Sequence, residues 1–137
     1  MKNKILITDD MPTWLAFHTI LIKQLYGELF DITTAASAAS ALSIALENRE
    51  SPFSVVITDL QMENNYYPKL AGEWFVENLQ TIPEYKTSKI IMISGMYNIE
   101  QIAQKYNVEC ISKSMIVQNK LLMKYMFEKL MPFLTQM

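Results

Sequence analysis

The sequence predicts an α/β domain: a parallel sheet of five strands with helices on both of its faces. Three observations lead there. Five short, compact apolar runs alternate with longer segments whose apolar residues recur at spacings of three and four. Each of the apolar runs ends abruptly at polar residues, as strands buried between two helical layers do. With 137 residues, half of them hydrophobic and 19% charged, the chain builds one ordinary domain with a real core.

The elements follow in order. Ile5-Leu6-Ile7-Thr8 is a strand that stops at the acidic pair Asp9-Asp10. From Pro12 to Tyr26 the residues Trp14, Leu15, Phe17, Leu21, Ile22 and Leu25 describe a helix, with Pro12 in its first turn and Gly27 as its C-terminal cap. Phe30 to Thr34 alternates as a strand, and Ser37 caps a helix that runs to about Asn48. The small residues Ala35 to Ala41 predict that this helix lies close to the sheet. Phe53 to Thr58 is the third strand, and a helix from about Gly72 to Gln80 carries Trp74, Phe75, Val76 and Leu79. Ile90 to Ile93 is the most apolar strand and ends at Ser94-Gly95. Asn98 to Tyr106 is a short helix, Val108 to Ser112 the fifth strand, and Ile116 to Met131 the last helix, stopped or kinked by Pro132.

Composition excludes several classes. Twelve basic and fourteen acidic residues leave a net charge of −2, without the basic stripe of a nucleic-acid binder. One cysteine makes neither an internal disulfide nor a cysteine metal cluster, and points to a reducing compartment. No apolar run approaches the roughly 20 residues of a membrane span. Ile5-Leu6-Ile7 is too short for a signal-peptide core. The expectation is a cytoplasmic chain in which residues 1–137 form a single domain.

In open α/β sheets ligands bind beyond the carboxyl ends of the strands. There the sequence places Asp9 and Asp10 after the first strand and Asp59 after the third. Ser94 closes the fourth, and Lys113 follows the fifth. A single aspartate at a strand end is commonplace. Three together repel one another and raise each other's pKa, a conflict that a hard divalent cation such as Mg²⁺ relieves. Lysine adds a point charge suited to a phosphoryl oxygen, and serine adds a hydrogen bond. The set suits phosphoryl transfer to a carboxylate nucleophile.

These five positions, each at its own strand end, resemble the receiver domain of two-component response regulators, the class of the chemotaxis receiver. The resemblance runs from about Lys4 to Leu130. It implies a flavodoxin-like, doubly wound sheet with strand order 2-1-3-4-5. It makes Asp59, in Val55-Val56-Ile57-Thr58-Asp59-Leu60-Gln61-Met62, the phosphoacceptor for a sensor histidine kinase, a histidine phosphotransfer protein or a small donor such as acetyl phosphate. It also implies that Asp10, Asp59 and the main-chain carbonyl of Gln61 hold Mg²⁺, with Asp9 acting through a water. Ser94 becomes the switch hydroxyl and Lys113 the lysine that pairs with the phosphoryl group. The face of the fourth helix, fifth strand and fifth helix becomes the output surface, for a partner protein or a second copy of the chain. The implied protein is a signalling switch, not an enzyme with a separate substrate. It binds neither nucleic acid nor membrane directly.

The chain departs from the family pattern at several points. Ser114 follows Lys113 where proline is usual, often after a cis bond. Cys110 replaces the aromatic usual three residues before the lysine, which leaves Tyr97 and Tyr106 as substitutes. Glu63 stands where proline is common, and Asn64 to Lys69 lengthen the loop 63–71 by about five residues. Gln61 and Met96, at positions that tune phosphate lifetime in the family, and Cys110 are the candidate tuning residues. His18 is expected to be a packed histidine. The last helix is apolar on more than one face, which predicts a partner or dimer surface.

Other classes fit less well. A degenerate receiver that binds a partner without phosphorylation is the main rival. An aspartate-nucleophile hydrolase would carry a second aspartate after the strand, where Gln61 stands. A flavodoxin-like electron carrier needs a phosphate-binding loop where Asp9 and Asp10 place negative charge.

Overall fold

Strand residues at odd and even positions point to opposite sides of the sheet, and in the central strands of this chain both sets are largely apolar. The computed structural model describes residues 3–119 together with 121, 124, 125, 127 and 128. Five strands, β1 (Asn3–Thr8), β2 (Phe30–Ala35), β3 (Val55–Thr58), β4 (Lys89–Ser94) and β5 (Glu109–Ser112), form one parallel sheet in the order β2-β1-β3-β4-β5. Between and after them lie α1 (Pro12–Tyr26), α2 (Ala38–Glu47), α3 (Ala71–Gln80), α4 (Ile99–Tyr106) and α5 (Lys113–Gln118).

Two cores result. Ile5 and Ile7 of β1, Val55 and Ile57 of β3, and Ile91 and Ile93 of β4 pack with Ile22 of α1, Ile116 of α5 and Phe127. The intervening Leu6, Val56, Ile90 and Met92 pack on the opposite face with α2, α3 and α4. The alanine run in α2 serves close approach: Ala38, Ala41 and Ala45 are all fully buried against the sheet. Among the described residues no helix is long and apolar enough to cross a membrane.

Most element boundaries agree with the sequence to within one or two residues. Ser37 caps α2, its Oγ accepting the Ser40 N–H at 3.0 Å. Gly27 closes α1 at φ +59°, a conformation an L side chain strains to adopt, and its N–H donates to the Lys23 carbonyl. Three features add to the sequence reading or depart from it. A 3₁₀ turn occupies Pro83–Tyr85, where its buried Tyr85 hydroxyl donates to the Ala45 carbonyl at 2.7 Å. The last helix begins at Lys113, three residues earlier than its apolar spacing suggests, because Ser112 in extended conformation turns the chain directly into it. Finally, Lys113–Ser114 is not among the cis peptides: Tyr67–Pro68 is the cis bond in the chain's described part. The expected unbroken helix from Ile116 to Met131 is interrupted, since α5 ends at Gln118 and Asn119 is extended, at φ −152° and ψ 103°; Leu122, Met123, Met126, Leu130 and Met131 lie outside the described residues.

Candidate functional site at the strand carboxyl ends

The strands end nearly flush, and the backbone carries that alignment one residue further. Thr8 is in register with Ala35 on one side and Thr58 on the other. Beyond them the Asp9 N–H donates to the Ala35 carbonyl at 3.1 Å, and the Asp59 N–H to the Thr8 carbonyl at 3.0 Å. Both aspartates are therefore held by sheet-like bonds at the rim, side by side. Ligand atoms of Asp9, Asp10 and Asp59 all lie within 4.8 Å of one another. Asp9 and Asp59 are buried, at 2% and 6% exposure, while Asp10 faces solvent.

Lys113 closes the cluster from the other end of the chain. Its Nζ donates to Asp9 Oδ2 at 2.9 Å and to Asp59 Oδ2 at 3.2 Å. The same ammonium lies 4.7 Å from the centroid of the Trp14 ring, so three groups from three elements hold it. The remaining carboxylate oxygens are also engaged. Asp59 Oδ1 accepts the Leu60 N–H at 2.7 Å, and Asp9 Oδ1 accepts the Met11 N–H at 2.9 Å. Burial raises the Asp59 pKa above the ordinary carboxylate value. The Lys113 charge opposes that rise, and the neighbouring Asp9 adds to it. An all-oxygen set of three close carboxylates, one of them open to solvent, suits a hard divalent cation such as Mg²⁺.

Ser94 ends β4 fully buried, with its Oγ accepting the Met96 N–H at 3.2 Å. Gln61 is exposed, two residues past Asp59. Cys110 and Met96 are half-buried and pack against the core that α2, α3 and α4 cover. Burial raises the Cys110 thiol pKa, and Glu100 and Glu109 push it the same way, so the thiol stays protonated and unreactive at neutral pH. Of the two tyrosines considered for the missing aromatic, Tyr97 is 98% exposed. Tyr106 instead donates its hydroxyl to Glu73 Oε1 at 3.1 Å, tying α4 to the first turn of α3, and its pKa is pushed up to about 12 by burial and that carboxylate.

Sequence spacing did not single out Trp14, which it assigned to the core, or Gly72. The N–H of Gly72 donates to the Leu60 carbonyl at 2.9 Å, and its Cα abuts the Asp59 backbone so closely that a Cβ would lie 2.1 Å from the Asp59 carbonyl oxygen. No local pattern reports such an approach. A glycine in the first turn of a helix was the one available signal.

His18 is packed, as expected. It is 1% exposed, beside the stacked Trp14 and Phe17 rings at 5.6 Å from each, and its Nδ1 has no hydrogen-bond partner. Burial lowers its pKa to about 4, against the attraction of Asp9 and with help from Lys113. The folded chain thus binds a proton less readily than the unfolded one. The stability this gives is full above the ordinary histidine value and is lost as pH falls toward 4, by about 3 kcal/mol in all. Denaturant unfolding of wild type and His18→Leu checks this: the variant's relative stability should rise steadily between pH 7 and pH 4. A constant difference across that range would contradict it.

Solved structures share this architecture. A chemotaxis response regulator of Vibrio cholerae matches with TM-score 0.67 at 22% identity, over 82% of this chain and 88% of its own. A response regulator receiver domain protein from Clostridium thermocellum matches with TM-score 0.64 at 28% identity, over 81% and 82%. A CheY-like receiver domain protein from Methanospirillum hungatei covers 95% of this chain and 94% of its own, with TM-score 0.68 at 20% identity. The chain has the receiver-domain fold. No family model matches the sequence, and no curated protein does. Within the receiver fold, the predicted strand order 2-1-3-4-5 is the observed one. Asp9, Asp10, Asp59 and Lys113 come together as one cluster, with Ser94 at the end of the neighbouring strand.

Proposed function

We propose that this receiver domain is a phosphorylation-dependent signalling switch of a two-component system, with Asp59 as phosphoacceptor. The observation that carries the reading is the Lys113 ammonium bridging Asp9 and Asp59 within a three-carboxylate cluster at the strand ends. A carboxylate oxygen of Asp59 attacks the phosphorus of a phosphohistidine, on a sensor histidine kinase or a histidine phosphotransfer protein. The new O–P bond forms as the P–N bond breaks, and the imidazole leaves with its electron pair. With acetyl phosphate the breaking bond is P–O, and acetate leaves.

The chain's own groups have definite tasks. Asp10, Asp59 and the Gln61 main-chain carbonyl would hold Mg²⁺, with Asp9 acting through a water. Mg²⁺, when bound, supplies positive charge against the phosphoryl oxygens. Lys113 moves from carboxylate to phosphoryl oxygen, exchanging one anion for another. Ser94, buried beside Met96, donates its hydroxyl to the same group. That exchange biases the packing of α4, β5 and α5, the face offered to an output protein or a second copy of the chain. Gln61, Met96 and Cys110 tune how long the phosphoryl group survives. The lone cysteine suits a cytoplasmic setting, and residues 1–137 act as a single receiver unit.

The test is intact mass after incubation with acetyl phosphate, with and without Mg²⁺, for wild type and Asp59→Asn. A Mg²⁺-dependent gain of one phosphoryl group in wild type, absent from the variant, is the expected result. Failure with acetyl phosphate and with phosphorylated kinase domains alike would leave the chain a degenerate receiver that binds its partner unphosphorylated.

A further inference from the structure

The loop between β3 and α3 is longer than the sequence family usually carries, and it is fastened. Four N–H groups open α2 without helical partners. Ser37 satisfies one of them, its Oγ accepting from Ser40 at 3.0 Å, while its carbonyl accepts from Ala41 at 3.0 Å as the first regular bond of the helix. Two more belong to Glu63, 25 residues beyond Ala38 in the chain. Its Oε1 accepts from Ala38 at 2.9 Å and its Oε2 from Ala39 at 3.2 Å. A carboxylate from the phosphoacceptor loop therefore completes the positive end of a different helix, through charge-assisted bonds.

Three further ties hold the same segment. Met62 is buried, with its sulfur 3.5 Å from the Thr8 hydroxyl. Beyond Glu63, the Tyr66 ring stacks on Trp74 at 4.1 Å and Lys69 pairs with Glu77. Gln61 thus lies between two anchored points, Asp59 in the sheet and Met62-Glu63 on β1 and α2. Glu63 is two residues from the Gln61 carbonyl, so its hold on α2 limits the positions that carbonyl can take.

We propose that Glu63 is a positioning residue for the divalent-cation site, and the proposal rests on the phosphotransfer reading above. The strap to α2 orders the Gln61 main chain before any cation arrives, so binding does not have to order it. Residues that hold metal ligands without touching the metal typically alter affinity by about ten- to a hundredfold.

Calorimetric Mg²⁺ titration of the full chain decides it, on wild type, Glu63→Ala and Glu63→Gln. Amide exchange at Ala38 and Ala39, and acetyl phosphate labelling at low and saturating Mg²⁺, accompany the titration. Glu63→Ala should raise the Mg²⁺ Kd by about tenfold or more. Its labelling should slow at low Mg²⁺ and recover at saturation. Glu63→Gln, with one acceptor oxygen in place of two, should fall between. Faster exchange at Ala38 and Ala39 with an unchanged Kd would make Glu63 a cap for α2 and nothing more. If α2 unravels in the alanine variant, the glutamine variant alone decides by the same criterion. A wild type that binds no Mg²⁺ overturns both this inference and the phosphotransfer reading, whereas normal wild-type binding with unaltered variants overturns this one alone.

Discussion

Gly72→Ala should destabilise the fold by about 3 kcal/mol or more, lowering the unfolding midpoint by about 10 °C. The added Cβ would lie 2.1 Å from the Asp59 carbonyl oxygen, 2.6 Å from the Leu60 Cα and 3.0 Å from the Asp59 carbonyl carbon. All three are backbone atoms, so no flexible side chain can yield. Relief requires α3 to move away from the end of β3, which breaks the 2.9 Å bond from the Gly72 N–H to the Leu60 carbonyl. Asp59 shifts with it. Gly95→Ala is the internal control: its Cβ would meet nothing within 4 Å, and it should be neutral or slightly stabilising. Denaturant unfolding of both variants settles the matter. Equal stabilities would mean that the helix start has room the geometry does not show.

Lys113→Met should have the second largest effect, and the loss should depend on Mg²⁺. The ammonium answers two carboxylates that are 2% and 6% exposed. Methionine fills the same length without the charge, leaving Asp9 and Asp59 buried and opposed. Removing one partner of a buried ion cluster costs about 3 kcal/mol or more. Two remedies should restore stability. Millimolar Mg²⁺ supplies the missing charge. Acid protonates Asp59, whose pKa, already raised by burial, loses the lysine that was opposing the rise. Because the folded pKa lies above the unfolded one, the carboxylate costs stability above it, and that cost disappears as pH falls through it. Phosphoryl transfer should meanwhile slow by about a hundred- to a thousandfold, the usual loss for one electrostatic donor. A variant as stable as wild type without Mg²⁺ would contradict the bridge.

What was legible in the sequence is what repeats or stands at a strand end. Apolar runs such as Ile5-Leu6-Ile7 and Ile90 to Ile93 declare themselves because burial on both faces leaves no polar position. Asp9, Asp10, Asp59, Ser94 and Lys113 were found because a parallel sheet delivers every strand end to one rim. What could not be read are contacts between residues remote in sequence whose neighbours give no sign. Glu63 looks like any loop glutamate, and its partners Ala38 and Ala39 look like any helix residues. Trp14 fits the apolar stripe of α1 equally well with or without an ammonium over its ring. The start of α5 was misplaced for a related reason. Lys113 is polar because it reaches Asp9 and Asp59, and Ser114 is exposed and paired with the Ser112 hydroxyl, so both break the apolar spacing that marks a helix.

The cluster is also a joint between the two ends of the chain, since Asp9 and Lys113 are 104 residues apart and Asp59 and Lys113 are 54 apart. A ribosome releases residues at about 5–20 per second, so the lysine emerges about 3–10 s after Asp59. Through that interval the sheet lacks β5 at its edge beside β4, and no ammonium lies between Asp9 and Asp59 beyond β1 and β3. A chain stalled or cut before residue 113 therefore carries every acidic group of the site in uncompensated repulsion. The ammonium that offsets part of this charge arrives only after β5, with the first residue of α5.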